Sequence, residues 1–542
     1  MSIVSKFGGV RATTRSRTKI EGKWCHLTPG GLVSGESRSN NEWQEVSRGR
    51  SSEEVPVMGM EQRTEQIYQL LKWHLILTCE IKDNEQTRAT SKQERRKVEV
   101  SMLDSEEMEM TDMKTEKSLL DDMLSEENLS RAYQQVVRNK GAEGVDGMKY
   151  TELKDYLKEH GDEIKEQIRS RKYKPSPVRR VEIPKESGGT RCLGIPTVVD
   201  RFIQQAIAQV LTPIYEPLFS ENSYGFRPNR CCEMAIQKVL EYMNDGFQWV
   251  VDIDIEKFFD HVNHDKLITL VMKHVKDGEI VSLIRKYLKS GIMMDDEYKE
   301  SVIGFAQGGN LSPLLSNIML NELDKELEAR GLNYARYADD CLILVGSQKA
   351  ADRVMANVSK FIEKKLGLKV NMTKSKVTKP NEIKYLGFGF FRDSRSKLWK
   401  AKPHQKSVEK LKKKLKQLTS RSWGVEMDHR LRRIEQVLRG WVNYFRIGKF
   451  KGVCERIDKN LRYRLRMCIW KQWKTVGRRY KALRQLGMEK ETAWKWANSR
   501  KVYARVASSP ILTYTVTNER LAKRGLASMI DLYQKINKTC LA

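Results

Sequence analysis

Three observations predict an α+β fold, an antiparallel sheet with helices on one face, followed by an all-helical region. Two β-forming stretches carry acids at their ends, Trp249 to Ile255 with Asp252 and Asp254, and Asn333 to Val345 with Asp339 and Asp340. Long segments with apolar residues at helical spacing lie among them, giving the order β, helix, β-hairpin, helix, β. After Lys397 the strand signals stop and the apolar stripes are flanked by Lys and Arg.

Charge narrows the partners. The 542 residues contain 99 Lys plus Arg against 70 Asp plus Glu, a formal net charge of +29. Solubility needs far less, and the excess points to a polyanion, nucleic acid ahead of an anionic membrane. No apolar run approaches 18 residues and the N-terminus lacks the apolar core of a signal peptide, so no membrane partner is expected. The nine cysteines show no CxxC pair and no zinc spacing, and are read as reduced thiols in a cytosolic protein.

Residues 1–115, rich in Ser, Thr, Arg, Gly and Glu, read as a disordered or weakly structured extension. A helix around Asn128 to Val137 then leads to the glycine-punctuated loop Asn139 to Gly147, where Lys140 and Gly141 sit. Val178 to Pro184 and Arg191 to Pro196 form a hairpin through a Gly-Gly turn, with Lys185 and Arg191 near its tip. Those cations are either solvated or a grip for a triphosphate, Lys as a point charge and Arg as a fork. Ile203, Ile207, Val210, Leu211 and Ile214 mark a core helix, and Ser223 to Arg230 is a basic aromatic loop suited to a nucleic-acid strand.

Ala306 to Pro313 leads into a long helix, with Ser312 expected as N-cap and Pro313 at the first helical position. A second helix runs from Ala351 to Leu366 and ends on Gly367, followed by a strand at Leu368 to Val370. In the basic region Leu411, Leu415 and Leu418, then Leu431, Ile434 and Leu438, then Ile457, Leu461 and Leu465 line three bundle helices. Their opposite faces, with Trp470 and Trp473 nearby, supply a nucleic-acid surface, and residues from about 480 onward suggest a separate small module.

The acids carry the chemistry. Asp339 and Asp340 occupy a hairpin tip, where like charges are tolerable if a multivalent cation joins them. One more acid from the Asp252/Asp254 strand would complete a three-carboxylate cluster able to hold two divalent ions roughly 3.5–4 Å apart. Singly, each motif also reads as an ordinary turn or an amphipathic strand.

In order, Arg180 to Lys185, Tyr224 to Pro228, Asp252 to Phe259, Gln307 to Gly309, Tyr337 to Asp340, Tyr385 to Phe388 and Gly440 to Phe445 resemble the motifs of group II intron-encoded reverse transcriptases and maturases, most like bacterial class C members. The resemblance runs from about residue 119 to the C-terminus. It implies a right-hand polymerase whose fingers and antiparallel palm sheet span 161–395, after an N-terminal lid at 116–160. An α-helical thumb/maturase domain follows at 396–478, and a basic DNA-binding region at 479–542.

By the same resemblance Asp254, Asp339 and Asp340 are the catalytic acids and hold two Mg2+ ions, for which Mn2+ can substitute. Phe259 gates the sugar, and Lys185, Arg191, Gln307 and Lys374 attend the nucleotide. Lys140, Gly141, Arg227, Leu386 and Gly387 meet primer and template, and Lys413, Arg433, Arg439 and Arg446 meet RNA. The implied partners are group II intron RNA, an RNA template with its DNA primer, deoxynucleoside triphosphates and target DNA. The implied setting is the bacterial cytoplasm, in a nucleoid-associated ribonucleoprotein.

Two departures from the family pattern stand out. Ala306 replaces a proline before Gln307-Gly308-Gly309, which is expected to loosen that loop, and no Cys/His endonuclease module follows the basic tail. Two rival readings stay open: a splicing cofactor with a relic polymerase centre, and a host-recruited reverse transcriptase in repair or defence.

Overall fold

The computed structural model describes residues 118–184, 190–294, 297–301 and 303–539; the extension at 1–115 and Lys185 lie outside the described residues. Helices α1 (Leu119–Leu124), α2 (Glu126–Asn139) and α3 (Leu153–Arg169) come first, and then the hairpin of β1 (Val178–Pro184) and β2 (Thr190–Ile195). β1 also pairs in parallel with β4 (Ile292–Met294), which pairs with β5 (Glu297–Lys299), so the strand order is β2-β1-β4-β5.

The second sheet holds the acids. Its strands are β3 (Trp249–Ile253), β6 (Asn333–Tyr337), β7 (Asp340–Val345) and β8 (Lys376–Thr378), ordered β6-β7-β3-β8 and antiparallel throughout. The expected strand at Leu368 to Val370 does not form, since Val370 makes only an isolated bridge to Ile255, and the edge goes to β8.

Period-two burial splits this sheet between two cores. Val251, Ile253, Ile343 and Val345 face one core, which they share with α4 (Val198–Tyr215), α6 (Phe258–His261), α7 (His264–Met272), α8 (Gly278–Lys289), α9 (Ser312–Ala329) and α10 (Gln348–Phe361). Val250, Ala335, Leu342 and Leu344 face the other. That second face is covered by Ile236 and Val239 of α5 (Cys232–Asn244), so helices lie on both faces and not on one as expected. The reason is legible in β3 and β7, whose central residues are apolar on both sides and cannot be left in water.

Ser312 is the first residue of α9 and not its N-cap, which is Leu311. Its hydroxyl donates instead to the Ala306 carbonyl at 2.8 Å. After a two-stranded ladder of β9 (Phe388–Arg392) and β10 (Trp399–Pro403), three helices follow: α11 (Gln405–Leu418), α12 (Met427–Tyr444) and α13 (Lys451–Gln472). The leucine stripes expected there are buried.

Six shorter helices complete the described chain: α14 (Val476–Gln485), α15 (Lys490–Ala497), α16 (Tyr503–Ala507), α17 (Pro510–Thr513), α18 (Asn518–Lys523) and α19 (Met529–Thr539). They share the second core through Leu483, Leu512, Leu521 and Met529, packed with Leu461 and Leu465, so this region is continuous with the bundle and not a separate module. Helices this short carry too little apolar surface for a core of their own. Trp470, expected at a nucleic-acid surface, is 1% exposed in that core and carries Arg479 over its ring.

Candidate active site

Register brings the acids together. Ile253 of β3 pairs with Cys341 of β7, so Asp254, just past the end of β3, comes opposite Asp340, the first residue of β7. Tyr337 pairs with Asp340, making Ala338-Asp339 a two-residue turn. Only the first turn residue has positive φ, Ala338 at 57°, a II′-like pattern in a position that favours glycine. A non-glycine there costs roughly 1 kcal/mol or more and persists when its surroundings hold it.

The surroundings do so. Arg336 Nη1 donates to the Ala338 carbonyl at 2.9 Å and to Asn317 Oδ1 at 3.1 Å. Its Nε and Nη2 bind Asp324 at 2.7 and 2.5 Å, and Nη2 also reaches Ser223 Oγ at 2.7 Å. Asn317 Nδ2 donates to the Gly225 carbonyl at 2.9 Å. Gly225 itself lies flat on the turn, where a Cβ would stand 2.2 Å from the Ala338 nitrogen. Arg336, Asp324, Asn317 and Gly225 were not foreseen as site residues. A usable signal existed: Arg336 follows Tyr334 and Ala335 in the buried middle of β6, and Asp324 falls on the buried side of α9, four residues after Leu320.

Asp254 is fixed from both sides. Its N–H donates to Ser375 Oγ at 3.0 Å and its carbonyl accepts from Asn371 N at 2.8 Å. Lys374 Nζ donates to its carboxylate at 3.2 and 3.4 Å. Asp252, half-buried on β3, is pushed up to about 7 by burial and then by Asp340 and Asp254, against the pull of Lys376. The acids are therefore close enough to repel one another. Among the described residues no three His, Cys, Asp or Glu side chains already form a metal-holding group. The donors present are carboxylate oxygens, crowded and partly neutralised by Lys374, a set that suits a hard divalent cation.

Phe259 follows a turn at Lys257, φ 43°, and stands half-buried, edge-on to Phe258 and Phe305 at centroid distances of 5.2 and 5.4 Å. Its carbonyl accepts from Phe305 N at 2.8 Å, which fixes the ring's base. The carbonyl of Gln307 accepts from Gly194 N of β2 at 2.9 Å, so the Gln307 loop is tied to the strand bearing Arg191. Ser312 Oγ donates to the Ala306 carbonyl on the other side, a second tie on that loop.

The loop bearing Lys140 and Gly141 packs on the start of α4. Arg201 Nη2 donates to the Ala142 carbonyl at 2.6 Å, and a Cβ on Gly141 would fall 1.9 Å from Arg201 Nη1. Leu386 and Gly387 have φ of 46° and 83°, a tight turn after Tyr385. The Leu386 carbonyl accepts from Tyr444 Oη of α12 at 2.7 Å, and the Gly387 carbonyl from Ser407 Oγ of α11 at 2.8 Å. This turn joins the acid-bearing sheet to the helical bundle; the Leu386 side chain is buried.

One expected nucleic-acid contact is corrected. Arg227 is 7% exposed, with its guanidinium bound by Glu216 and by the Ser223 carbonyl at 2.9 Å, so it braces its own loop. Arg446 stays about a third exposed while it donates to Glu233 of α5 at 2.6 Å, tying the bundle to the sheet's covering helix. Lys413, Arg433 and Arg439 are exposed, Arg439 paired with Glu435 at 2.6 Å.

An antiparallel sheet presenting acids at a strand end and the adjoining hairpin, joined through a tight turn to a helical bundle, is the layout of a polymerase palm and thumb. Residues 183–390 match the reverse transcriptase (RNA-dependent DNA polymerase) family and residues 408–487 the group II intron maturase-specific domain. Over 294 residues the chain is 32% identical to Protein YkfC of Escherichia coli K12, covering 47% of this chain and 77% of that protein. It is 37% identical over 195 residues to the group II intron-encoded protein LtrA of Lactococcus lactis, 36% of this chain and 32% of LtrA. A 91 kDa protein in the cob intron of Schizosaccharomyces pombe is 28% identical over 287 residues, 42% of this chain and 35% of that protein. The chain thus spans about a third of the length of these last two. The chain belongs to the group II intron reverse transcriptases and maturases, RNA-directed DNA polymerases joined to a splicing domain. No helix among the described residues is long and apolar enough to cross a membrane.

Proposed function

We propose that this chain copies RNA into DNA from a DNA primer and that its helical region binds the group II intron RNA to assist splicing and return into target DNA, in the bacterial cytoplasm. The observation that carries the reading is the register that sets Asp254 beside Asp340, with Asp339 on a turn braced by Arg336 and Gly225. The primer 3′-oxygen attacks the α-phosphorus of a deoxynucleoside triphosphate; a phosphorus–oxygen bond forms, the bond to pyrophosphate breaks, and the 3′-hydroxyl proton passes to solvent. Asp254, Asp339 and Asp340 would hold two Mg2+ ions, which when bound lower the charge on the attacking and leaving oxygens.

The protein's part is placement. Phe259, backed by Phe305, closes the space beside the sugar, so a 2′-hydroxyl meets a ring. Arg191 and the Gln307 loop share β2 and form the wall over the nucleotide. Lys374 neutralises Asp254 in the resting site and is free to follow the departing pyrophosphate once Asp254 has another partner. Lys413, Arg433 and Arg439 offer exposed cations to RNA.

Primer extension on an RNA template tests the reading. Wild-type protein is expected to synthesise DNA with Mg2+ and the Asp339→Asn variant to lose synthesis by several hundredfold or more. A wild-type chain that binds intron RNA but never extends a primer would favour a splicing cofactor with a relic centre.

A further inference from the structure

Away from the acids, a cavity of about 580 Å3 opens between α13 and the segment joining α17 to α18. Lys459, Arg462 and Arg466 line it from α13, at spacings of three and four residues that set them on one face over about 10 Å of helix axis. Thr513, Thr517 and Asn518 line the opposite side, and Glu519 is the one acid among the lining residues.

Surface cations usually stand over their own helix, paired or solvated. These differ. Among the described residues none of the three forms an ion pair with an acid, although Glu519 lines the same cavity. Arg466 is oriented by neutral groups, its Nε donating to the Val516 carbonyl at 2.9 Å and its Nη2 to Asn518 Oδ1 at 3.1 Å. Its burial and the neighbouring Arg462 both pull its guanidinium below the ordinary value, so two like charges are held close to one another. The Thr517 hydroxyl, which accepts from Arg520 N, and the Asn518 amide, whose oxygen accepts from Arg466, keep their protons for an oxyanion with several acceptor oxygens, whereas Thr513 Oγ1 already donates to the Ser509 carbonyl at 3.0 Å. Next to Thr513, Tyr514 is 72% exposed, an aromatic face where a base can stack.

We propose that this cavity is a backbone clamp for a nucleic-acid strand, with phosphates seated between Lys459, Arg462 and Arg466 and the strand running past Tyr514. The clamp rests on the reading of the helical region as a nucleic-acid binder and gives it a specific seat. One wall lies inside the maturase-matched residues 408–487 and the other beyond them, so the C-terminal helices are needed to complete it.

Equilibrium binding of the full-length chain to a labelled single-stranded RNA, and to DNA of the same sequence, over a range of salt concentrations tests it. Removing one cation that neutralises a phosphate should lower the slope of log affinity against log salt by about 0.7. The Lys459→Gln/Arg462→Gln variant is therefore expected to lose about 1.4 from that slope and roughly tenfold in affinity. Glu519→Gln removes the opposing charge and should tighten binding several-fold, a gain that misfolding cannot imitate. A larger loss on RNA assigns the seat to RNA, a larger loss on DNA assigns it to DNA, and equal losses assign it to the shared backbone. Unchanged slopes in the double variant, or no tightening in Glu519→Gln, would overturn the clamp. The readout is binding alone, so it stands apart from whether the chain extends primers.

Discussion

Arg336 and Asp324 form an ion pair that is essentially solvent-free, 0% exposed at either residue, and the same guanidinium holds the Ala338 carbonyl at 2.9 Å. The acidic turn therefore hangs from a charge pair in the protein interior. Replacing one partner should do more harm than replacing both. Arg336→Met leaves Asp324 buried without its counter-ion and is expected to cost about 3–5 kcal/mol in denaturant unfolding. Arg336→Met/Asp324→Leu should recover most of that stability, since apolar pairs often replace buried ion pairs at little cost. The turn would still lack its donor, and primer extension should stay at least tenfold low. Full activity in the double variant would show that the turn needs no such support.

Gly225 sets the other side of the turn. A Cβ there would lie 2.2 Å from the Ala338 nitrogen and 2.9 Å from the Tyr337 carbonyl carbon, both backbone atoms that cannot rotate aside. Gly225→Ala should therefore push the turn by a sizeable fraction of an ångström. Misplacement on the order of 1 Å can cost about 100-fold in the chemical step. The expectation is a kcat loss approaching that size with the KM for deoxynucleotide little changed, measured by single-nucleotide incorporation. A variant with wild-type kcat would mean that the strain is not transmitted to Asp339.

How much of this was legible in the sequence follows from the range of the forces involved. Strand periodicity and the turn at Ala338-Asp339 are local, so the hairpin and the Asp254 strand could be read from residue types. The resemblance then ordered the motifs. Arg227 was misread, and the Glu233 partner of Arg446 was not foreseen, because a cation's partner depends on chain segments brought close only by folding: Glu216 across a loop for one and Glu233 on a distant helix for the other. The Arg336 network was missed for the same reason, since Asp324 and Asn317 come from one helix and Ser223 and Gly225 from a loop some hundred residues earlier in the chain. The second covered face of the sheet was there to be seen, in central strands that are apolar on both sides.

Phe259 offers a test of sugar choice. Its ring is backed by Phe258 and Phe305, so it cannot swing away without opening a gap in the first core. Phe259→Ala is expected to raise the ratio of kcat/KM for ribonucleotides over deoxynucleotides by about tenfold or more, because a steric clash of about 1.4 kcal/mol or more is removed. Competition between the two triphosphates on one RNA template measures it. An unchanged ratio would place the discrimination elsewhere.

Asp252 makes the resting site sensitive to pH and to metal. Burial, followed by Asp340 and Asp254, pushes its carboxyl up to about 7, whereas an unfolded Asp titrates near 4. The folded state thus binds this proton more tightly than the unfolded one. Its contribution to stability is fully present below about pH 4 and is lost as pH rises through about 7. With metal removed by a chelator, unfolding free energy should fall between about pH 5 and pH 8 by on the order of 2 kcal/mol more than in Asp252→Asn. Adding Mg2+ at the upper pH should restore part of that loss in the wild type, because a divalent ion beside Asp254 and Asp340 relieves the repulsion Asp252 feels. Equal pH slopes in wild type and Asp252→Asn, each in chelator, would show that the three acids are not coupled.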